Sequence, residues 1–396
     1  MKLALFIPSL EVGGAERQMI LLAKSLMENG HDVSLWCLRE TGAFVAETKD
    51  YGIPVFNVGK GGRYDLLGAA IRLRRIYQQA APDVIVSCLP SANLYALFVR
   101  LLRPKIIGKQ PRLIWGLASA KLPVGEYGWW AKISYWVQAK SARWVDKVVV
   151  NSVAGWESAR QEGYPVNKLQ VIHNGVDMQR FMANSQDGEK WRKEMNIPTE
   201  AALVGMAGRL DPAKNYEVFL QACEIVAVND DRVWFVIVGG GDNEYATELK
   251  AKIDNHPLYG HRLRYKSNET NMPAMYSALN LMTLTSKSEG LPNTVVEAMA
   301  CETPCVVTDV GDCRLAVDRF GVVCEVGDAQ GIAESWLSII SSKKSNEAAN
   351  SGARKNKIWD FSGLRKYMDQ TFSLEKMTKQ FEDACTEVQQ QGKRGG

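Results

Sequence analysis

Two acids, Glu289 and Glu297, stand in "SEGLPNTVVEAM" with seven residues between them and a Pro-Asn-Thr turn in the middle. Glu289 falls on a loop, and Glu297 in the first turns of a helix that Asn293 or Thr294 starts. Gly290, Leu291, Pro292, Asn293 and Thr294 join them. Backbone N–H groups at a helix start, here from about Leu291 to Val295, lack partners within the helix and carry partial positive charge. A diphosphate would suit that end, with one carboxylate on sugar hydroxyls and the other on ribose hydroxyls, since carboxylates accept strong hydrogen bonds. A structural reading competes for Glu297: Thr294 and Glu297 form T-x-x-E, the capping-box pattern. It leaves Glu289 unexplained.

Cations are spaced to match. In "GRLDPAKN", Arg209 and Lys214 lie five apart across a proline turn, so both can leave a strand end and converge on one anion. A fork-shaped guanidinium with a point-charge ammonium suits a diphosphate; two solvated surface cations are the alternative. Near the start, "VGGAERQMILLAKSL" sets Gly13 and Gly14 before an apolar-faced helix. Paired glycines let a bound anion approach the backbone at a helix N-terminus, although a tight turn needs them equally. Gly239, Gly240 and Gly241 in "VIVGGGDNE" form either a nucleotide-proximal loop or a plain strand-to-helix connection. The first glycine loop is not G-x-G-x-x-G, and no acid ends the second apolar run "DVSLWCL", which disfavours a dinucleotide-dependent dehydrogenase.

These residues need strands to end beside them. "KLALFIP", "DVSLWCL", "DVIVSCL", "LIWGLA" and "KVVVNS" are short β-branched runs separated by helix-like stretches, and "LVGMAG", "VWFVIVGG", "LRYKS", "LMTLTS" and "PCVVTD" repeat the pattern. Alternation of this kind predicts parallel sheets with helices on both faces, and ligands then sit beyond the C-terminal strand ends. At 396 residues the chain exceeds one ordinary core. We expect an α/β chain of two doubly wound, Rossmann-like domains: 1–175, then a polar linker region at 176–200, a second domain at 201–365, and a C-terminal helix at 366–390. Phe372, Leu374, Met377, Phe381 and Cys385 or Val388 are spaced for one apolar face of that helix.

Composition narrows the partners. Hydrophobic residues at 46% and charged residues at 23% are ordinary for a folded chain. The start, with one basic residue and Pro8 after a short apolar run, has the wrong shape for a signal peptide, and no stretch is apolar for long enough to span a bilayer. Eight cysteines without a C-x-x-C pair read as buried thiols rather than a metal site, in keeping with a cytoplasmic chain. Residues 1–173 hold 22 Lys and Arg against 13 Asp and Glu, a surplus of +9, while the remainder carries −5. The charge concentrates in 100–147, which also holds five of the eleven tryptophans, among them Trp129, Trp130 and Trp136. Basic residues with interfacial tryptophan fit an anionic membrane surface, on the inner face of the cell membrane. The alternative is a solvated basic face with tryptophans in the core. No recognition motif accompanies the charge, so nucleic acid is not expected.

Taken together, "SEGLPNTVVEAMACETPCVVTD", "GGAER", "NGVD" at 174–177, "GRL" with "KN" at 208–215 and "FSLEKM" resemble, in order and over nearly the whole chain, the retaining glycosyltransferases of the GT-B fold with an E-x7-E signature. The resemblance implies two Rossmann-like domains facing a central cleft and a final helix crossing back to the first domain. It assigns Glu289 to the donor sugar, Glu297 to the ribose, Arg209 and Lys214 to the leaving diphosphate, and Gly13 and Gly14 to the phosphates from the opposite domain. The implied reaction moves a hexose or N-acetylhexosamine from a UDP- or GDP-linked sugar to a lipid-linked or cell-envelope polysaccharide acceptor, with retained configuration. No cofactor is expected, and with no D-x-D motif in the chain, no metal. One departure stands out: several relatives carry a His at the end of a first-domain strand, where "LIWGLASAK" has none, leaving Trp115, Gly116 or Ser119 at that place. His173 reads as a structural residue. The alternatives are a sugar-nucleotide 2-epimerase and a non-catalytic sugar-nucleotide-binding protein.

Overall fold

A computed structural model describes residues 1–11, 13–62, 65–101, 110–117, 136–347 and 360–394. Trp129, Trp130 and Ser119 lie outside the described residues. The chain divides into two compact units, Met1–Gly175 with Leu374–Gly396, and Val176–Ser373.

The first unit carries a seven-stranded parallel sheet in the order β3-β2-β1-β4-β5-β6-β7. Its strands are β1 (Lys2–Ile7), β2 (Asp32–Cys37), β3 (Val55–Asn57), β4 (Val84–Cys88), β5 (Arg112–Leu117), β6 (Lys147–Val150) and β7 (Leu169–Val171). Alternate residues of β1 feed two separate cores. Leu3, Leu5 and Ile7 pack with Leu22 and Leu26 of the helix Gly14–Glu28, while Ala4 and Phe6 pack with Leu73 and Ala96 on the opposite face. Burial on both faces is why these strands read as continuous apolar runs.

The second unit repeats the plan with six parallel strands in the order β10-β9-β8-β11-β12-β13. They are β8 (Ala202–Ala207), β9 (Val233–Val238), β10 (Leu263–Lys266), β11 (Leu281–Leu284), β12 (Cys305–Thr308) and β13 (Val322–Cys324). Leu203 and Ala207 face one core, and Ala202, Val204 and Met206 the other. Both units are therefore doubly wound parallel α/β sheets, as the sequence predicts. The strands it misses, β3, β7 and β13, are three-residue edges with half-buried or exposed residues and too short to show a pattern.

Two boundaries are corrected. Residues 176–200, read as a polar linker, belong to the second unit. They include the helix Ser185–Glu194, whose Asn184 side chain caps the N–H groups of Gln186 and Asp187. Trp191 of that helix is buried, and Arg192, also buried, spends its guanidinium on the carbonyls of Ala278 and Ala201 and on the Asn280 side chain. A charged residue with every guanidinium nitrogen engaged behaves as interior. Likewise, the segment 366–390 is two helices: Leu364–Phe372 in the second unit and Leu374–Arg394 in the first, separated at Ser373 by an extended backbone. Phe372 accordingly joins a core of the second unit, while Leu374, Met377, Phe381, Cys385 and Val388 form the expected stripe against the helix Gly14–Glu28. Thr378 adds a 2.9 Å hydrogen bond to Ser25 across that contact.

Candidate active site

In each sheet the strand order reverses once, at β1/β4 in the first unit and at β8/β11 in the second. Loops diverge from such a point and leave a crevice for ligands. In the second unit the loop beyond β8 is a proline turn, Pro212–Lys214, whose Asp211 side chain accepts the Ala213 N–H. Asn215 closes it in the left-handed region, at φ 55° and ψ 51°. The loop beyond β11 is bound to this turn. Buried Thr285 donates to the carbonyls of Lys214 and Asn215, and the Lys287 N–H reaches the Ala213 carbonyl at 2.7 Å.

The two loops bring Lys214 onto Glu289 at 2.5 Å, and Ser286 donates to the same Oε1 at 2.6 Å. Glu289 is only 11% exposed, so this ion pair is largely shielded from water. Behind it, Thr308 donates to the Ser286 carbonyl, and the Asp312 N–H to the Gly290 carbonyl. Gly311 adopts φ 55°, and a Cβ there would lie 2.4 Å from the Glu289 carbonyl oxygen, so only glycine lets this clamp close. The Cys313 thiol lies beneath; burial pushes its pKa up, Glu289 pushes it further, and Lys214 opposes both.

The helix carrying the second acid runs Asn293–Ala300, with Pro292 at the N-cap position and no side-chain cap. The capping-box alternative therefore fails. Helical structure begins before Thr294, which places Glu297 fifth in the helix and beyond reach of the cap position. Instead, Glu297 Oε2 accepts the Tyr276 hydroxyl at 2.9 Å. The N–H row expected from Leu291 to Val295 is interrupted: Val295 N–H already bonds the Pro292 carbonyl, and Pro292 has no N–H. Leu291 points into the core, leaving only its backbone for a ligand.

Arg209 and Lys214 have different partners. Arg209 is 72% exposed and lies 3.7 Å from Asp211, whereas Lys214 is held by Glu289. The glycine turn after β9 has a steric cause. Gly239 passes so close to β8's exit that a Cβ would sit 1.8 Å from the Gly208 carbonyl oxygen, and Gly240's carbonyl accepts the Leu210 N–H. A surface pocket elsewhere in this unit, lined by Gln179, Arg180, Met182, Asn184, Asp187 and Asn271, contains none of the expected residues.

In the first unit Gly13 stands at the N-cap of the helix Gly14–Glu28. The Glu16 carboxylate folds onto it, so that a Cβ at Gly13 would meet Oε2 at 2.0 Å. A phosphate at Gly13 would therefore meet negative charge. Glu16 also lies near the end of β4, where it adds to the effect of burial in pushing the Cys88 thiol up to about 12. At the end of β5, Trp115 is buried in the core and the Gly116 carbonyl accepts from Asn93. Neither offers a side chain in place of the family His. In the basic window, Arg100 and Arg112 both pair with Asp146, and Lys147 pairs with Glu387. Trp136 and Trp144 are exposed, the latter beneath the Arg143 guanidinium at 4.4 Å.

Sequence reasoning missed Tyr276 and Gly311, which reach the acids only through the fold, and Ser286, whose contact with Glu289 is local, three residues along the same loop. Glu16 was legible in "GGAER" as a third acid beside the glycines, but not as their contact.

Comparison with known proteins bears on the whole arrangement. The family model described as glycosyl transferases group 1 matches residues 187–356, and that of glycosyltransferase family 4 matches residues 12–180. Among curated relatives, the UDP-Gal:alpha-D-GlcNAc-diphosphoundecaprenol alpha-1,3-galactosyltransferase of Escherichia coli is 28% identical over 184 residues, 45% of this chain and 47% of the relative. The N-acetyl-alpha-D-glucosaminyl L-malate synthase of Bacillus anthracis is 25% identical over 58% of this chain and 57% of its own. The chain thus spans about half the length of the curated relatives it matches. Among solved structures, Anabaena HepE in complex with UDP and glucose superposes with a TM-score of 0.81 at 21% identity, covering 98% of this chain and 99% of that one. Sucrose-phosphate synthase from Thermosynechococcus elongatus gives 0.78 at 17% identity, over 98% and 99%. Those identities speak to the fold alone. With two parallel α/β units, the first matched by glycosyltransferase family 4 over residues 12–180 and the second by glycosyl transferases group 1 over residues 187–356, the chain is a glycosyltransferase of the GT-B kind.

Proposed function

We propose that this chain is a retaining, metal-independent glycosyltransferase that moves a hexose or N-acetylhexosamine from a UDP- or GDP-linked sugar to a lipid-linked or cell-envelope polysaccharide acceptor. The observation that carries the reading is the shielded Lys214–Glu289 pair at the strand-order reversal of the second sheet, with Glu297 on the helix that follows. In this reading Glu289 accepts hydrogen bonds from the donor sugar and Glu297 from the ribose. Lys214, Arg209 and the N-terminus of the helix Asn293–Ala300 stabilise the charge that grows on the diphosphate as it leaves. The bond from sugar C1 to the diphosphate breaks, the acceptor oxygen bonds C1 from the same face, and a donor phosphate oxygen takes the acceptor's proton. Support for the donor and acceptor classes comes from relatives: HepE holds UDP and glucose, and the Escherichia coli relative's name specifies UDP-Gal and a GlcNAc-diphosphoundecaprenol acceptor. The exposed Trp136 and Trp144 support a chain that works at an anionic membrane surface.

Incubating the protein with UDP-glucose, UDP-galactose, UDP-N-acetylglucosamine or GDP-mannose and α-D-GlcNAc-diphosphoundecaprenol, with EDTA present, tests the reaction. Transfer with retained anomeric configuration is expected from one donor. Conversion of donor without acceptor would instead indicate an epimerase, and nucleotide binding with no turnover a binding protein. Flotation with anionic vesicles at low salt tests the membrane part, where absence of binding would remove it.

A further inference from the structure

Glu297 is held by a residue outside every motif. Tyr276 lies in the helix Met272–Ala278, fully buried, with its ring 6.2 Å from that of Phe181. Its carbonyl accepts the hydroxyl of Thr303, and its own hydroxyl donates to Glu297 Oε2 at 2.9 Å. Both ends of the tyrosine are therefore fixed, and its hydroxyl holds one specified oxygen of the acid. Burial raises the phenol's pKa well above its ordinary range, and Glu297 raises it further, so it remains a donor at every working pH. A carboxylate has about four lone-pair sites on two oxygens, so the bond from Tyr276 takes one of them and sets the direction in which the group presents the others.

We propose that Tyr276 is a positioning residue that makes this site select ribonucleotides over nucleotides lacking the ribose hydroxyls. The inference rests on the reading of Glu297 as the ribose contact. Sites built to hydrogen-bond a ligand hydroxyl reject the analogue without it, provided the protein's acceptor is held in place. Glu297 is held by a fully buried, neutral phenol, whereas Glu289 is held by a cation together with the buried Ser286 hydroxyl.

Calorimetric titration of the full chain with UDP and with 2′,3′-dideoxy-UDP tests this, with GDP and its dideoxy analogue used if guanine is the preferred base. Wild type should bind the ribonucleotide about 10-fold or more tightly than the dideoxy form. Tyr276→Phe should weaken UDP by about 3- to 10-fold and leave dideoxy-UDP within about twofold, because only the ribose contact is disturbed. Equal weakening of both ligands by Y276F, or no change in either, overturns the proposal, since a packing role would move both together. Glu297→Ala provides a second check that leaves Tyr276 intact: the preference for UDP should fall to the Y276F level or below, and a preference kept at wild-type level overturns the proposal. Failure of the underlying reading looks different. There, wild type itself binds no nucleotide, or binds UDP and its dideoxy analogue alike.

Discussion

In the first sheet the loop beyond β1 sets Glu16 against Gly13; in the second, the loop beyond β8 sets Lys214 against Glu289. Both lie where strand order reverses, the place where this architecture offers a crevice, and both use an acid beside tightly approached glycines. The difference lies in what balances the acid. Glu289 is paired with a cation and a hydroxyl, and Glu297 with a buried phenol, so the second unit presents fixed, compensated carboxylates. Glu16 sits on a helix N-terminus, where the helix dipole favours it but would equally favour an incoming phosphate. Topology alone therefore does not make two crevices equivalent; the charge already in place decides what each can accept.

The largest expected effect belongs to the second unit. Glu289→Ala should lower kcat by about 10²- to 10³-fold while leaving UDP or GDP affinity nearly unchanged, since Glu289 is read as touching only the sugar. A parallel loss of nucleotide affinity, read by calorimetry, would end the division of roles between the two acids. Next in size is Gly239→Ala, which forces a methyl group onto the Gly208 carbonyl. It should destabilise the fold by about 1–3 kcal/mol or more in denaturant unfolding, whereas Gly260→Ala, at a positive φ with open space around it, should cost less.

A smaller effect tests the ion pair itself. Lys214→Ala leaves a shielded carboxylate without its cation, so the double variant with Glu289→Ala should be the more stable of the two by about 1–2 kcal/mol. Additive losses would mean that the pair is solvated in practice and contributes little. The smallest change separates the two crevices. Glu16→Gln removes negative charge beside Gly13 and should tighten UDP by about twofold if that loop faces the diphosphate. Unchanged affinity would exclude the loop from phosphate binding and leave the nucleotide to the second unit.

Much of the fold is legible along the chain. Ten runs read from the sequence fall on ten of the thirteen strands among the described residues, and all of these but the edge strand β10, with Arg264 and Lys266, are largely apolar because they are buried on both faces. The last helix's stripe is readable for the same local reason, that side chains three and four apart share a face. The linker is misread because Trp191 and Arg192 sit among charged neighbours, and nothing in the sequence says that the guanidinium finds carbonyls at Ala278 and Ala201.

For the site, local spacing determined that Glu289 and Glu297 flank a helix start and that glycines stand at strand exits. It could not determine partners. Lys214 and Glu289 are 75 residues apart in sequence, and only the adjacency of β8 and β11 brings their loops together. Arg209, five residues from Lys214 and chemically as suitable, is left in solvent by the same turn. Tyr276 reaches Glu297 because two helices pack on one face of the sheet, a contact that no periodicity encodes. Turns and patterns are properties of neighbours along the chain; charge compensation and donor geometry depend on neighbours in space, and strand order decides which those are.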